Sequence, residues 1–188
     1  LRSGLYDAFY SEVNVYAVND DFENTKNELE KALSANDIVL VSGGISVGDY
    51  DFVAQALKEL EVETLLQKNL NFKTTILRFG GLIGENRQPI RSLSGKTNLE
   101  NLGAPVNLIH QNDCIGIIEA IIEKDIWNET FNAVAPFHPS RKEYYTQKAI
   151  ELNLPVPAFE NSTVNFGKKI SSAKVASVLE YNFQKPTL

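Results

Sequence analysis

The sequence has 188 residues, of which 43% are hydrophobic and 22% charged, and its formal net charge is −6. That length suits one large hydrophobic core or two small ones, and the composition is that of a globular rather than a disordered protein. The acidic balance, with no basic cluster longer than two residues, argues against binding to nucleic acid or to an anionic membrane.

The numbers of cysteine and histidine residues and the lengths of the apolar runs exclude further classes of protein. One cysteine and two histidines leave no closed zinc site, because such a site takes about four nitrogen or sulfur ligands. Cys114 lies in an apolar stretch and is predicted to pack in the core. No apolar run reaches the ~18 residues of a membrane span and no signal peptide opens the chain, so the expected compartment is the cytoplasm. The chain has no Met, even at position 1, which favours a trimmed, engineered or incomplete chain.

The first seventy residues are predicted to alternate between strands and helices. Asn19, Asp20 and Asp21 supply oxygens that can cap a helix running to Ala35. A continuous aliphatic run at residues 38–41 is typical of a buried parallel strand. A glycine-rich turn follows, and Asp49 opens a second amphipathic helix. The strands predicted here are residues 13–18, 38–41 and 62–67, and the helices are residues 20–35 and 49–60.

The same alternation continues beyond residue 70. Residues 80–84, taken alone, are interpreted as a tight turn, and residues 85–101 are predicted to be an irregular excursion that contains one short helix. The predicted strands are residues 74–79, 105–109 and 130–134. The predicted helices are residues 114–124, capped by Asn112 and Asp113, residues 141–150, capped by Ser140, and a short one capped by Ser171 and Ser172. Strands that alternate with helices predict an α/β protein, three-layered and Rossmann-like, with a mostly parallel sheet.

Residues 42–51 form the first candidate site, the 42–51 turn. Glycines let the backbone approach a phosphate, and the helix that follows points N–H groups at it. The carboxylates of Asp49 and Asp51 would repel a lone phosphate, but they suit a site where a cation or a metal oxyanion also binds. In the alternative interpretation, the two carboxylates only cap the helix. Spacing alone leaves both interpretations open.

The sequence of residues 37–53, Asp-Ile-Val-Leu-Val-Ser-Gly-Gly-Ile-Ser-Val-Gly-Asp-Tyr-Asp-Phe-Val, resembles the molybdopterin-binding domain of the molybdopterin molybdotransferase family. The resemblance covers about residues 5–68. It implies that the turn holds the pterin phosphate, that Asp49 and Asp51 act in molybdate insertion, and that Asp49 holds the metal. The residues implied to line the pterin site are Ser42, Gly43, Gly44, Ser46 and Gly48.

That family also has a Thr-Gly-Asp-type turn, a Pro-Gly-Lys-Pro element and a Gly-Leu-Pro-Gly-Asn-Pro loop. None of the three occurs in this sequence. A complete active site of that family is therefore not expected in this chain.

A second set of segments is similar to extended short-chain dehydrogenase/reductase proteins of the NAD-dependent epimerase-like branch, over about residues 73–186. The segments are Thr75-Ile-Leu-Arg-Phe-Gly-Gly-Leu-Ile-Gly, Ala104-Pro-Val-Asn-Leu-Ile-His-Gln-Asn-Asp-Cys, Phe131-Asn-Ala-Val-Ala-Pro and His138-Pro-Ser-Arg-Lys-Glu-Tyr-Tyr. The resemblance implies that Arg78, Gly80 and Gly81 lie near the cofactor and substrate cleft. His110 and Asp113 are interpreted as structural, and Asn132 and His138 as satisfied polar residues rather than substrate contacts.

The residues that hydride transfer needs are not found in this sequence. The Gly-x-x-Gly-x-x-Gly fingerprint, which places a pyrophosphate at a helix N-terminus, does not occur. Tyr144 and Lys148 have the Tyr-x-x-x-Lys spacing of a catalytic pair, but they follow the strand that such a pair should precede. We interpret that match as chance, so NAD(P) is not an expected cofactor.

These observations predict two parts, residues 1–70 and 71–188. The first is expected to bind molybdopterin, with Mg²⁺ or molybdate, as in molybdenum cofactor biosynthesis, and the second to be a catalytically incomplete epimerase-like part. The alternative is an NAD(P)-dependent epimerase/dehydratase-like oxidoreductase whose cofactor-binding portion is missing. Whether the chain is an enzyme stays open, and an active one would be molybdotransferase-like. The expected partner is a small phosphate-bearing molecule, and a homo-oligomer is compatible with the sequence. The junction near residue 70 fits a chimera, a chain with missing segments or one divergent domain.

Overall fold

The computed structural model describes residues 14–16, 22–40, 73, 75–160 and 167–188. The 42–51 turn, the helix predicted at 49–60 and the strand predicted at 62–67 lie outside the described residues. The chain divides into two compact units, one of Phe9–Thr74 and the other of Leu1–Ala8 with Thr75–Leu188.

In the first unit, the helix predicted to end at Ala35 is confirmed as α1 (Phe22–Ala35). The side-chain amide of Asn36 donates to the carbonyl of Ala32 at 2.9 Å and satisfies one of the free carbonyls at the helix end. The strand predicted at residues 38–41 is wrong in its described part, residues 38–40, where Ile38 and Leu40 are about half exposed. Residues 14–16 are not in a strand either. A strand needs a neighbouring strand to hydrogen-bond with, and among the described residues neither residues 14–16 nor residues 38–40 have one.

The second unit is built on two parallel strand pairs. Strand β1 (Ile76–Phe79) pairs with β4 (Thr130–Ala133), and β2 (Gly81–Ile83) pairs with β3 (Leu108–His110). Parallel pairing with helices in the connections confirms the predicted α/β class. The strands predicted at 74–79 and 130–134 are confirmed. The strand predicted at 105–109 begins three residues later, at Leu108, and ends one residue later, at His110.

Gly80 is the point at which one strand changes its partner. Its N–H donates to the carbonyl of Ala133 at 2.9 Å, and the next N–H, of Gly81, donates to the carbonyl of Asn107 at 2.9 Å. The chain thus passes from the β4 ladder to the β3 ladder without turning back. The turn predicted at residues 80–84 is wrong for Gly81–Ile83, because β3, a distant segment, supplies the hydrogen bonds that make this stretch a strand.

Four helices in the described part of the second unit lie close to their predicted positions. They are α2 (Ile90–Leu93), α3 (Gln111–Glu123), α4 (Arg141–Glu151) and α5 (Ala173–Val178). Ser140 caps α4 as predicted, since its Oγ accepts from the N–H of Glu143, whose side chain accepts from the N–H of Ser140. The predicted cap of α3 is wrong: the cap is His110, whose Nδ1 accepts from the N–H of Asn112 at 3.2 Å.

Two apolar clusters hold the second unit together. One surrounds α3 and includes Cys114, which is fully buried as predicted. Burial, with the nearby charge of Asp113 as a smaller cause, raises the pKa of the Cys114 thiol to about 12, so the thiol is protonated at neutral pH and is a poor nucleophile. The other cluster joins β2, β3, α2 and α4 through Ile83, Ile90, Leu108, Tyr144, Tyr145 and Ala149. Within the described part of the chain, no helix is long and apolar enough to cross a membrane.

Candidate functional site

A buried carboxylate ties the end of the chain to α3. Asp113 lies in the first turn of α3 and is completely buried. One of its oxygens accepts from the hydroxyl of Tyr181 at 3.0 Å and from the N–H of Gln184 at 2.7 Å, and the other accepts from the N–H of Lys185 at 3.1 Å. Desolvation, and then the charge of Asp113, raise the pKa of Tyr181, so its hydroxyl keeps the proton it donates. The structural role predicted for Asp113 agrees with these contacts.

Two other side chains fasten the segment that precedes α5. The hydroxyl of Ser172 donates to the carbonyl of Val134 at 2.6 Å and accepts from the N–H of Val134 at 2.8 Å. The side chain of Asn107 donates to the carbonyl of Lys168 at 2.8 Å and accepts from the N–H of Ile170 at 3.0 Å. The backbone on either side of Lys169 is therefore held in place.

The segment after β4 runs antiparallel to the segment before β3. The N–H of Val106 donates to the carbonyl of Pro139 at 2.9 Å. His138 lies between them, with its Nδ1 3.0 Å from the carbonyl of Val106. A carbonyl oxygen only accepts, so Nδ1 carries the proton and the neutral ring has its lone pair on Nε2.

These segments line a cleft of about 660 Å³ that is open to solvent. The cleft lies at the carboxyl end of β4, which is where open α/β sheets bind their ligands. We call it the β4 cleft. Its described lining contains a histidine, a lysine, serines and two aromatic residues, and no aspartate or glutamate. The lining residues are Pro136, His138, Lys169, Ser171, Ser172, Ala173, Ala176, Tyr181, Asn182, Phe183 and Pro186.

The residues predicted from the second resemblance lie on β1, directly after it and at the start of β2. None of them is among the described residues that line the β4 cleft. Arg78 is exposed and stands in register with Asn132 of β4. A Cβ built on Gly80 would lie 2.6 Å from Cγ1 of Val134, and one on Gly81 would lie 2.5 Å from Cδ2 of Leu108. Protein atoms therefore occupy the space next to both glycines. A role for Arg78, Gly80 and Gly81 in cofactor binding stays a prediction.

Tyr144 and Lys148 do not form an acid/base pair in this structure. Tyr144 is only 4% exposed, and its hydroxyl has no hydrogen-bond partner among the described residues. Burial raises the pKa of Tyr144 to about 12. The ammonium of Lys148 bonds to Glu151 at 2.9 Å and lies 6.0 Å from the centre of the Tyr144 ring. The interpretation of this spacing as chance is consistent with that geometry.

The roles that three polar residues have in this region were not predicted from the sequence. The three residues are Asn107, Lys169 and Ser172. Asn107 and Ser172 form hydrogen bonds with backbone groups 38 to 63 positions away. A local sequence pattern does not predict contacts over such a separation. Among the residues that the structure describes, no three His, Cys, Asp or Glu side chains are grouped closely enough to hold a metal ion. Asp49, the predicted metal ligand, and the other predicted pterin-site residues lie outside the described residues.

Comparison with solved structures defines the class of the fold. The human epimerase family protein SDR39U1 with NADPH aligns with a TM-score of 0.57 at 17% identity, over 88% of this chain and 68% of that one. A UDP-N-acetylglucosamine 4-epimerase from Bacillus cereus aligns with a TM-score of 0.57 at 13% identity, over 92% and 72%. At these identities the likeness shows the fold alone, and this fold is the Rossmann-like α/β fold of epimerases.

Sequence comparison then gives the family. The model of the family described as probable molybdopterin binding domain matches residues 1–132, and the chain belongs to that family. The match runs past residue 68, where the resemblance was expected to end, and includes α3.

Curated relatives match two different lengths of this chain. Protein YeeZ of Escherichia coli K12 is 35% identical over 127 residues, which is 67% of this chain and 46% of that protein. A molybdopterin molybdenumtransferase of Staphylococcus epidermidis is 36% identical over 65 residues, which is 34% of this chain and 16% of that protein. The chain thus spans less than half the length of these curated relatives.

Proposed function

We propose that this chain binds a phosphorylated pterin of the molybdopterin type through its 42–51 turn. The observation that carries the proposal is the family match over residues 1–132, which includes this turn. Backbone N–H groups of the turn would hold the phosphate, since glycines leave the backbone open to close approach. The residues that we assign to this contact are Ser42, Gly43, Gly44, Ser46 and Gly48.

We assign the acidic residues of the turn to the inorganic part of the substrate. Asp49 would hold Mg²⁺ or molybdate-associated metal, because hard cations take carboxylate ligands, and Asp51 would assist in insertion. In this proposal residues 71–188 are a catalytically incomplete epimerase-like part of a cytoplasmic protein. The buried, protonated Tyr144 supports that assignment, since it lacks the access that an acid/base residue requires.

The second candidate is an NAD(P)-dependent oxidoreductase of the epimerase/dehydratase class whose cofactor-binding portion lies elsewhere. The fold similarity to such proteins favours it. Arg78, Gly80 and Gly81 would then lie beside that cofactor. Binding of ligands to this chain separates the two candidates.

Gly43→Val is expected to abolish binding of a phosphorylated pterin, because a β-branched side chain fills the space that the phosphate needs and disfavours positive φ. Calorimetric titration of the wild-type chain and the variant measures this, with circular dichroism as the check on folding. A parallel titration with NADH and NADPH is expected to show no binding and no turnover of a sugar or ketone. Unchanged pterin affinity in a folded variant contradicts the first candidate, and nicotinamide-dependent turnover establishes the second.

Asp49→Asn is expected to keep binding of the pterin phosphate and to lose its dependence on Mg²⁺ or molybdate. The substitution removes a negative charge near the phosphate, but an amide is a much poorer ligand for a hard cation than a carboxylate. If Asp49 only caps a helix, asparagine replaces it with a change in stability of a few tenths of a kcal/mol. Titrations of both proteins with and without Mg²⁺ distinguish the two roles of Asp49. An identical metal response in the two proteins would contradict the role as a metal ligand and leave the role as a helix cap.

A further inference from the structure

We propose that the β4 cleft is a second ligand site, which takes a small organic anion, that is, a carboxylate or phosphate carried on a flat apolar body. The described residues that line it are not those of the 42–51 turn, and the proposal does not depend on the function proposed for that turn. Four properties of the described residues support it: the charge of the cleft, the apolar surface inside it, the room that small side chains leave, and the rigidity of its walls.

The charge of the cleft is opposite to that of the chain. The whole protein carries a net charge of −6, yet the described lining of the β4 cleft has a lysine and a histidine and no acidic residue. No described carboxylate forms an ion pair with Lys169. The preference for an anion depends on Lys169, whereas the Nε2 atom of His138 is available to a hydrogen-bond donor of the ligand, because Nδ1 is committed to the carbonyl of Val106. A lysine with no carboxylate partner among the described residues, in a cleft whose described lining has no acid, favours an anionic ligand.

The rest of the lining is mainly apolar. Tyr181 and Phe183 pack edge to face with their ring centres 5.5 Å apart, and Pro136 and Pro186 also line the cleft. Ala173 and Ala176 also line the cleft, and they lie three residues apart on α5 and therefore on the same face of that helix. Their small side chains leave space in the cleft. An apolar cleft with a few polar groups is the usual form of a small-molecule site.

Each wall of the cleft is fixed by contacts already in place. Asn107 and Ser172 fasten the wall that carries Lys169 and Ser171. Asp113 fastens the wall from Tyr181 to Pro186, and the N–H of Phe137 donates to the carbonyl of Pro186 at 3.2 Å. A site whose walls are already ordered loses little conformational entropy when a ligand binds.

The test uses benzoate and phenyl phosphate as anionic probes and benzyl alcohol as a neutral probe of similar shape. Dissociation constants are measured on the full, isotope-labelled chain by NMR titration. Both anions are expected to bind about fivefold or more tightly than benzyl alcohol. Lys169→Gln is expected to weaken binding of the anions about fivefold, which suits a partly exposed charge contact, and to leave benzyl alcohol unchanged. Ala176→Phe is expected to abolish binding of all three probes by filling the cleft.

Matched controls make each result specific. Lys168→Gln removes the same charge from a neighbouring residue that does not line the cleft, and Ser177→Phe adds the same ring to another position of α5; neither is expected to change binding. Gly43→Val is expected to leave probe binding intact, which separates this site from the pterin proposal. Equal affinities for the anions and benzyl alcohol, or full binding in a folded Ala176→Phe variant, would overturn the proposal. The ratio of the two anion affinities then distinguishes a carboxylate from a phosphate ligand.

Discussion

Gly80→Ala is expected to lower the free energy of unfolding of the unit that contains residues 75–188 by about 3 kcal/mol, at the upper end of the range for an overpacked site. A Cβ at this position would lie 2.6 Å from Cγ1 of Val134 and 2.7 Å from the carbonyl oxygen of Asn107. That carbonyl accepts from the N–H of Gly81, so it cannot retreat without weakening the bond where the strand changes partner. Denaturant unfolding of the variant and the wild type measures the difference.

Gly84→Ala is the matched control for that substitution. A Cβ at Gly84 would meet the side-chain oxygen of Gln111 at 3.3 Å, and the end of a flexible side chain can move aside. The expected change in the free energy of unfolding is within about 1 kcal/mol. If both variants were equally stable, Gly80 would not be required for strand packing, and its predicted role beside a cofactor would become the better explanation of the glycine.

Asp113→Ala is expected to lower the free energy of unfolding by about 3 kcal/mol, because hydrogen bonds to a buried charged acceptor contribute more than neutral ones. The variant leaves two backbone N–H groups and the Tyr181 hydroxyl without their acceptor. Faster amide hydrogen exchange is expected at Gln184 and Lys185. Because residues 181–186 form one wall of the β4 cleft, binding of benzoate should weaken in the same variant.

Two further variants test whether the effect belongs to this carboxylate. Asp113→Asn keeps one acceptor oxygen and is expected to be intermediate in stability. Glu123→Ala removes a carboxylate from the exposed end of α3 and should change the free energy of unfolding by less than about 0.5 kcal/mol. Native exchange rates at Gln184 and Lys185 in Asp113→Ala would show that other contacts hold the end of the chain.

Gly80→Ala and Asp113→Ala test two different contacts of the second unit. Gly80 lets β1 continue into β2 while the neighbouring ladder changes from β4 to β3, and Asp113 follows β3 and fastens the last residues of the chain. Gly80 therefore acts beside the end of β4, because its N–H donates to the carbonyl of Ala133, and Asp113 acts on the wall of the β4 cleft that runs from Tyr181 to Pro186. Neither residue is among the described residues that line the cleft.

Helices and the fold class could be predicted from the sequence because their signals are local. Ser140 and Glu143 form a capping box within one turn, and the apolar periodicity of residues 114–124 closely matches α3. Alternation of strands with helices was sufficient to predict a parallel α/β protein. The resemblance of the 42–51 turn to molybdopterin-binding domains likewise depended on one contiguous segment.

Strand identity and the β4 cleft were decided by tertiary structure alone. The three glycines of residues 80–84 favoured a turn, yet residues 81–83 form β2, since β3 lies beside them and pairs with them. Residues 38–40 have the composition of a strand but have no partner among the described residues. The β4 cleft joins His138, Lys169 and Tyr181 through contacts of Asp113, Asn107 and Ser172 that span 38 to 72 positions. A helix satisfies its hydrogen bonds within itself, whereas a strand or a cleft takes its partners from distant parts of the chain.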